Sequence, residues 1–406
     1  MNENTLPVKV TAETGVHRGT RWLWALLPLV LLAGVVALFL STGAGIQTPE
    51  GLPPIEELSI QNVTLPEPDL IVLNIINSGP DPVTVAQVLV DDAYWNFQIE
   101  PASEIQRFGT ATIRIPYPWV QAEAHRIVLV TSSGTLFEAE IPLALETPAA
   151  NLNTVLNFAL IGIYVGVIPV GLGLMWHPFM RGLKRRAMDA ILALTIGLLA
   201  FLLIDTASEG LEVAGRVPGA FNGLILFGAG AILAYLLIQV VSSRRGASRD
   251  EVTGRLNLSY LLAIGIGLHN LAEGLAIGAA YAAGEAALGA FLVVGFTLHN
   301  ITEGIGIAAP VAEDQPKLKT FLWLALIAGA PAIAGAWIGG FIYSDLAAAI
   351  FLGVGTGAIA QVIVEVGKLL LRHGQREGAS FATWPNAIGF TAGLAIMYAT
   401  ALLVAV

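Results

Sequence analysis

The chain has 406 residues, 55% of them apolar and only 12% charged, where a soluble globular domain carries about a quarter charged residues. With a mean hydropathy of +0.72, this composition excludes an ordinary soluble enzyme and places most of the chain in lipid. The net charge of −10 is unevenly spread: residues 50–147 hold 14 Asp/Glu against three Arg, a balance of −11, and the remainder is near neutral. There is no cysteine, so a metal would be held by His, carboxylate or amide groups, which suit borderline-to-hard divalent ions.

Residues 1–21 form a polar tail containing Lys9, Arg18 and Arg21. The stretch from Trp22 to Leu40 then runs 19 residues without a charge, enough to cross a hydrocarbon core of about 30 Å. It is longer than the apolar core of about 7–15 residues in a signal peptide, so it reads as a retained transmembrane anchor with Trp22 and Trp24 at the interface. A cleaved signal peptide is the alternative, and both readings put the next segment outside the cell.

Residues 50–147 alternate short apolar runs, such as Leu70–Ile75, Val83–Val90 and Arg126–Val130, with turn signals such as Asn77-Ser78-Gly79-Pro80-Asp81 and Ser132-Ser133-Gly134. About seven strands of this kind predict an all-β, immunoglobulin-like sandwich. Its one histidine, His125, is expected to be structural or solvated.

Eight further apolar segments follow within residues 150–406, with cores near 153–176, 188–206, 218–241, 257–282, 285–310, 318–343, 345–371 and 385–405. Their abundant Gly and Ala permit close helix approach in lipid. With the amino terminus inside, 16 of the 20 Lys/Arg fall on cytoplasmic pieces, and the four outside are Arg107, Arg114, Arg126 and Arg216. That bias predicts nine spans, with the β domain and the carboxyl terminus outside. The chain therefore reads as a polytopic α-helical protein of the cell membrane, with an N-terminal anchor, a β-sandwich and an eight-helix domain.

Ionisable groups at membrane depth are costly and mark function. The fourth and fifth helices of the eight-helix block contain His269-Asn270-Leu271-Ala272-Glu273-Gly274 and His299-Asn300-Ile301-Thr302-Glu303-Gly304. The pattern HNxxEG thus occurs twice, 30 residues apart. Within each copy His and Glu stand at i and i+4 on one helix face, with Asn about 100° round, followed by a glycine expected to loosen the helix. The two helices are joined by a polar turn near Glu285. His269 and Glu273 precede it by 16 and 12 residues, and His299 and Glu303 follow it by 14 and 18. Both motifs therefore lie about 20 Å from the turn, near the midplane. Two imidazoles, two carboxylates and two amides can converge there on Zn²⁺, Cd²⁺, Fe²⁺ or Mn²⁺. An internal His–Glu ion pair within each helix is the plain structural alternative.

The doubled motif resembles the fourth and fifth helices of the ZIP (Zrt/Irt-like) family of divalent-metal transporters, most closely the prokaryotic zinc-uptake type. The resemblance covers about residues 150–406. It implies an eight-helix bundle that moves divalent metal toward the cytoplasm, with a binuclear site formed by His269, Asn270, Glu273, His299, Asn300 and Glu303. It also implies a further carboxylate ligand, Glu365, for which an i,i+3 ion pair with Lys368 is the alternative. In three respects the sequence departs from the family. Ala272 and Thr302 stand where a helix-breaking Pro is usual. The loop Arg244–Glu251 has no His, and the anchor and β domain are additions.

Asp205, Glu209 and Glu212 share one face at the end of the second helix of the block, as an outer entrance that gathers cations or as a solvated helix end. His177 and His373 lie beside basic loops and are expected at the interface. No catalytic cofactor and no nucleic-acid partner are expected; the bound species is the transported ion, and a homo-oligomer is allowed. An intramembrane metal-dependent hydrolase and a receptor acting through the β domain are the competing readings. No HExxH motif favours the former.

Overall fold

The computed structural model describes residues 18–42, 54–245, 251–282, 286–342, 344–377 and 382–402. The tail before residue 18 with Lys9, the loop 246–250 with Arg249, and the turn near Glu285 lie outside the described residues. Residues of the first apolar segment form one helix, α1 (Arg18–Thr42). It is a unit separate from the rest of the chain, which forms a second unit from Ile55 onward.

The second unit begins with nine strands where about seven were expected: β1 (Leu58–Glu67), β2 (Leu70–Asn77), β3 (Val83–Val90), β4 (Ala93–Trp95), β5 (Gln98–Glu100), β6 (Glu104–Ile105), β7 (Thr110–Pro116), β8 (His125–Thr131) and β9 (Leu136–Ile141). The extra strands are two- and three-residue pieces, too short to show a period in the sequence. The strands make two antiparallel sheets, β1-β2-β7-β5 and β4-β3-β8-β9, with β6 paired to β3. Period-2 alternation sets their faces: in β7, Ala111, Ile113 and Ile115 are buried while Arg114 is exposed. With Ile71, Leu73, Val85, Val88, Ile127 and Leu129 they form one continuous core.

His125 belongs to this scaffold. It is buried, its Nδ1 lies 2.8 Å from Asp91 Oδ2, and Tyr117 donates to the same oxygen at 2.7 Å. Burial alone would raise the Asp91 carboxyl. The hydrogen bonds from the Arg126 backbone N–H, His125 and Tyr117 outweigh it and hold the group below its ordinary value.

Eight helical spans follow: α2 (Leu152–Met180), α3 (Arg185–Arg216), α4 (Gly223–Arg245), α5 (Glu251–Ala282), α6 (Ala286–Ala308), α7 (Leu318–Phe341), α8 (Asp345–Glu377) and α9 (Trp384–Leu402). They run alternately up and down. Side-chain contacts fix which ends meet: Arg216 Nε at the end of α3 lies 3.5 Å from Asp345 Oδ1 at the start of α8. On the opposite face Arg255 of α5 holds Asp314 through two bonds of 2.9 and 2.6 Å, and His373 of α8 lies 2.8 Å from Asp189 of α3. The start of α2 follows directly from the β domain, so the β domain, the end of α3 and the start of α8 share one face.

Helix α5 is the most buried span and α4 and α9 the least. The contact of α5 with α7 is backbone on backbone. A Cβ on Gly274 or Gly278 of α5 would come within 2.1 and 2.3 Å of the Ala332 and Ala336 carbonyls, and one on Gly335 or Gly339 of α7 within 2.0 Å of the Leu271 and Leu275 carbonyls. On α6, Gly304 stands in the same relation to the Val170 carbonyl of α2, at 2.3 Å. The motif glycines, expected to loosen their helices, instead let the neighbouring helices close on them; α5 and α6 run unbroken through both motifs.

The distortions lie opposite. Helix α2 contains a π-turn at Ile163–Val167, and α7 is interrupted at Ala330 before Pro331. A π-turn and a proline each release backbone carbonyls from the helix ladder.

Candidate metal centre

The two motifs face each other across the α5–α6 contact. His269, Asn270, Glu273, His299, Asn300 and Glu303 are all buried. The i,i+4 spacing puts His269 Nε2 3.1 Å from Glu273 Oε1, and His299 Nε2 from α6 touches the same oxygen. One ligand atom from each of His269, Glu273 and His299 lies within 4.8 Å of the others. A single carboxylate between two imidazoles is a donor set that suits a tetrahedral or five-coordinate divalent transition metal.

Backbone carbonyls at the two helix distortions orient the amides. Asn300 donates through Nδ2 to the Val165 carbonyl in the π-turn at 3.1 Å and to Glu273 Oε2 at 2.9 Å. Asn270 donates to the Ala328 carbonyl beside the α7 break at 3.0 Å. The distortion that the motif prolines would have supplied is thus present on the facing helices. Each amide bonds through its Nδ2, which leaves its Oδ1 available as an acceptor. Asn270 Oδ1, Asn300 Oδ1, both oxygens of Glu303 and His269 Nε2 are buried without a hydrogen-bond partner among the described residues, since the 3.1 Å approach of His269 to Glu273 is not hydrogen-bonding geometry. Buried acceptors are rarely left unpaired, and a cation satisfies acceptors without supplying a proton.

The structure does not gather every residue that the sequence suggested. Glu303 is buried beside the centre but stands outside the close trio of His269, Glu273 and His299. Glu365 is elsewhere: its Oε1 accepts from Lys368 Nζ at 2.9 Å and from Gln361 Nε2 at 3.1 Å, so its ion pair is the arrangement observed and not a place in the cluster. Lys368, one turn away on the same helix, is the ion-pair partner that the i,i+3 spacing allows.

His177, expected at the interface, is packed within the protein. It is buried, with Nε2 3.0 Å from the Val311 carbonyl and its ring against Phe321. His373 is half-buried on Asp189. Thr206 was missed: its Oγ1 lies 3.2 Å from His269 Nδ1. A hydroxyl on a helix otherwise read for its acids gives no periodic signal.

A cavity of about 800 Å³ reaches the centre. Its walls carry Asp205, Glu209, Glu212 and Arg216 of α3, then Thr206, His269, Glu273 and His299. The three acids therefore line a passage between the β-domain face and the motifs. Toward the other face, packing is apolar and closed by Leu198, Leu199, Leu202, Leu262, Ile266 and Ile359.

Residues 241–359 match the family model described as ZIP Zinc transporter. The match runs from the end of α4 into α8 and contains both motifs. It supports a divalent-metal transporter, and the family is one of transporters, not enzymes. No curated protein matches the chain.

Proposed function

We propose that the chain carries Zn²⁺, or a closely similar divalent ion, across the cell membrane toward the cytoplasm through the centre between α5 and α6. The observation that carries this reading is the meeting of His269, Glu273 and His299 within 4.8 Å at the closed end of an acid-lined cavity. Asp205, Glu209 and Glu212 supply a negative field that concentrates cations at the mouth. The ion exchanges water for the two imidazoles and the Glu273 carboxylate, with the Asn270 and Asn300 oxygens and Glu303 adjacent.

Bound there, its two positive charges face two carboxylates, Glu273 and Glu303, so the loaded centre is close to neutral. That lowers the cost of holding charge at membrane depth. Release on the other side requires the helices around the centre to move against those that wall the cavity, since the apolar packing beneath must open.

The basic residues Arg181, Lys184, Arg185, Arg186, Lys317 and Lys319, with Lys368 and Arg372 near the end of α8, lie toward the face opposite the β domain, and this bias supports a cytoplasmic placement of that face. The test is uptake by proteoliposomes holding the full chain, with Zn²⁺, Cd²⁺, Fe²⁺ and Mn²⁺ in competition. Saturable zinc entry suppressed by excess Cd²⁺ is expected. Entry no faster than into protein-free vesicles refutes the reading.

A further inference from the structure

The β domain touches the helical domain at a defined place. Between β6 and β7 the chain turns at Phe108, whose φ is +60°, a left-handed conformation that a bulky residue rarely holds without compensation. The turn is fastened to the sandwich core. Phe108 N–H donates to the Asn77 carbonyl at 2.8 Å, and Asn77 N–H donates to the Gly109 carbonyl at 3.0 Å. Asn77 is fully buried, with Nδ2 bonded to the Asp81 and Ile105 carbonyls.

What this arrangement presents is an aromatic ring. Phe108 meets Phe221 with centroids 5.4 Å apart and planes at 47°. Phe221 closes a 3₁₀ turn, Gly219–Phe221, between α3 and α4, followed by Asn222 at φ +48°. Glu57 overhangs the same turn: a Cβ on Gly219 would meet its Oε1 at 3.9 Å.

Two further observations give the contact consequence. Phe221 packs on the cluster of Val213, Val217, Phe227, Ala272, Leu275 and Leu352. Of these, Val213, Ala272, Leu275 and Leu352 also line the acidic cavity, and Ala272 precedes Glu273 in sequence.

Independently, the chain leaving the β domain is short and held at both ends. Thr147 is tied to Leu65 of β1 by two bonds of 2.8 Å, and Asn151 caps α2 through Thr154 N–H at 3.0 Å. Three residues lie between them, a reach of at most about 14 Å. The β domain is therefore held at two points on one face, by its linker at α2 and by Phe108 at the α3–α4 turn.

We propose that the β domain is a fixed brace on the rim of the ion cavity, seated by Phe108 on Phe221, and that this contact sets how readily the ion enters. The inference rests on the transport reading for its functional part. Its structural part stands on the geometry alone.

The experiment uses full-length protein carrying Phe108→Ala, Phe221→Ala, both substitutions together, or Phe108→Tyr. It reads the zinc dependence of proteoliposome uptake and, separately, hydrogen exchange of the Val217–Asn222 amides. Loss of an aromatic pair is expected to raise the half-saturating zinc concentration about threefold to tenfold with the maximal rate retained. The double variant should be no worse than either single one, Phe108→Tyr should restore the native value, and exchange at the turn should accelerate in Phe108→Ala.

Unchanged half-saturation, additive effects in the double variant, or loss of maximal rate alone would overturn the brace. If the native protein carries no zinc, the transport reading fails. Exchange at the turn then still decides the docking: acceleration supports it and unchanged exchange refutes it.

Discussion

At the scale of single residues, the centre is organised by hydrogen bonds that leave acceptors free. Asn300 illustrates this: it donates from Nδ2 to a backbone carbonyl and to Glu273, and its Oδ1 is buried without a hydrogen-bond partner among the described residues. Thr206 acts similarly on His269, because the partner of one ring nitrogen fixes the orientation and tautomer of the other. Thr206→Val is therefore expected to raise the half-saturating zinc concentration about tenfold without changing thermal unfolding, while Thr206→Ser keeps the native value. Equal uptake by Thr206→Val would show that the hydroxyl does not orient His269.

His269, Glu273 and His299 were legible in the sequence because i,i+4 spacing and matched depth fix a shared face before any tertiary contact is known. Thr206 was not, because its role depends on a crossing of α3 with α5 that no local pattern encodes. Glu365 allows two readings in the sequence for the same reason. Lys368 is its neighbour in sequence, and its distance from the motifs is a tertiary fact.

At the scale of elements, hydropathy located all eight spans, since crossing a bilayer demands about 20 apolar residues whatever the packing. It did not locate the π-turn of α2 or show that the α7 break faces Asn270. The two motifs lack the prolines usual in the family they resemble, and the irregular backbone stands in the facing helices instead. The glycines after each Glu illustrate the limit of local reading, since a Gly suggests helix weakness whereas here it marks a backbone contact.

Gly274→Val should therefore destabilise the protein by about 1–3 kcal/mol through overpacking against the Ala332 carbonyl, seen as a lowered unfolding midpoint in detergent. The same substitution at Gly367, where a Cβ meets nothing within 4 Å, should cost much less. Equal destabilisation at both positions would contradict the close-packing role. In the β domain, alternation gave the sandwich and its inward residues. The short strands β4, β5 and β6 were hidden because two or three residues carry no period.

At the scale of the whole molecule, charge sorts by location. The β domain holds 14 of the 30 Asp/Glu against only three Arg, basic residues gather toward the far face, and few ionisable groups remain at depth. Asp205, Glu209 and Glu212 join the first group to the last by lining the cavity from the β-domain face to the centre. Because the chain has no cysteine, access can be read from single introduced thiols. Glu209→Cys should react with a membrane-impermeant maleimide from the β-domain side and be slowed by zinc, while Ser259→Cys, at a fully buried position, should not react. Labelling of Glu209→Cys only from the opposite side would invert the assigned entry.

The central claim is that the ion crosses through the centre formed by His269, Glu273 and His299. Its most direct test is the initial rate of zinc entry into proteoliposomes holding equal amounts of correctly folded native protein, Glu273→Ala or His299→Ala. Loss of a charged ligand, or of one of two imidazoles, is expected to lower that rate by at least about tenfold in either variant. Native rates in both variants would contradict the account and send the pathway elsewhere in the bundle.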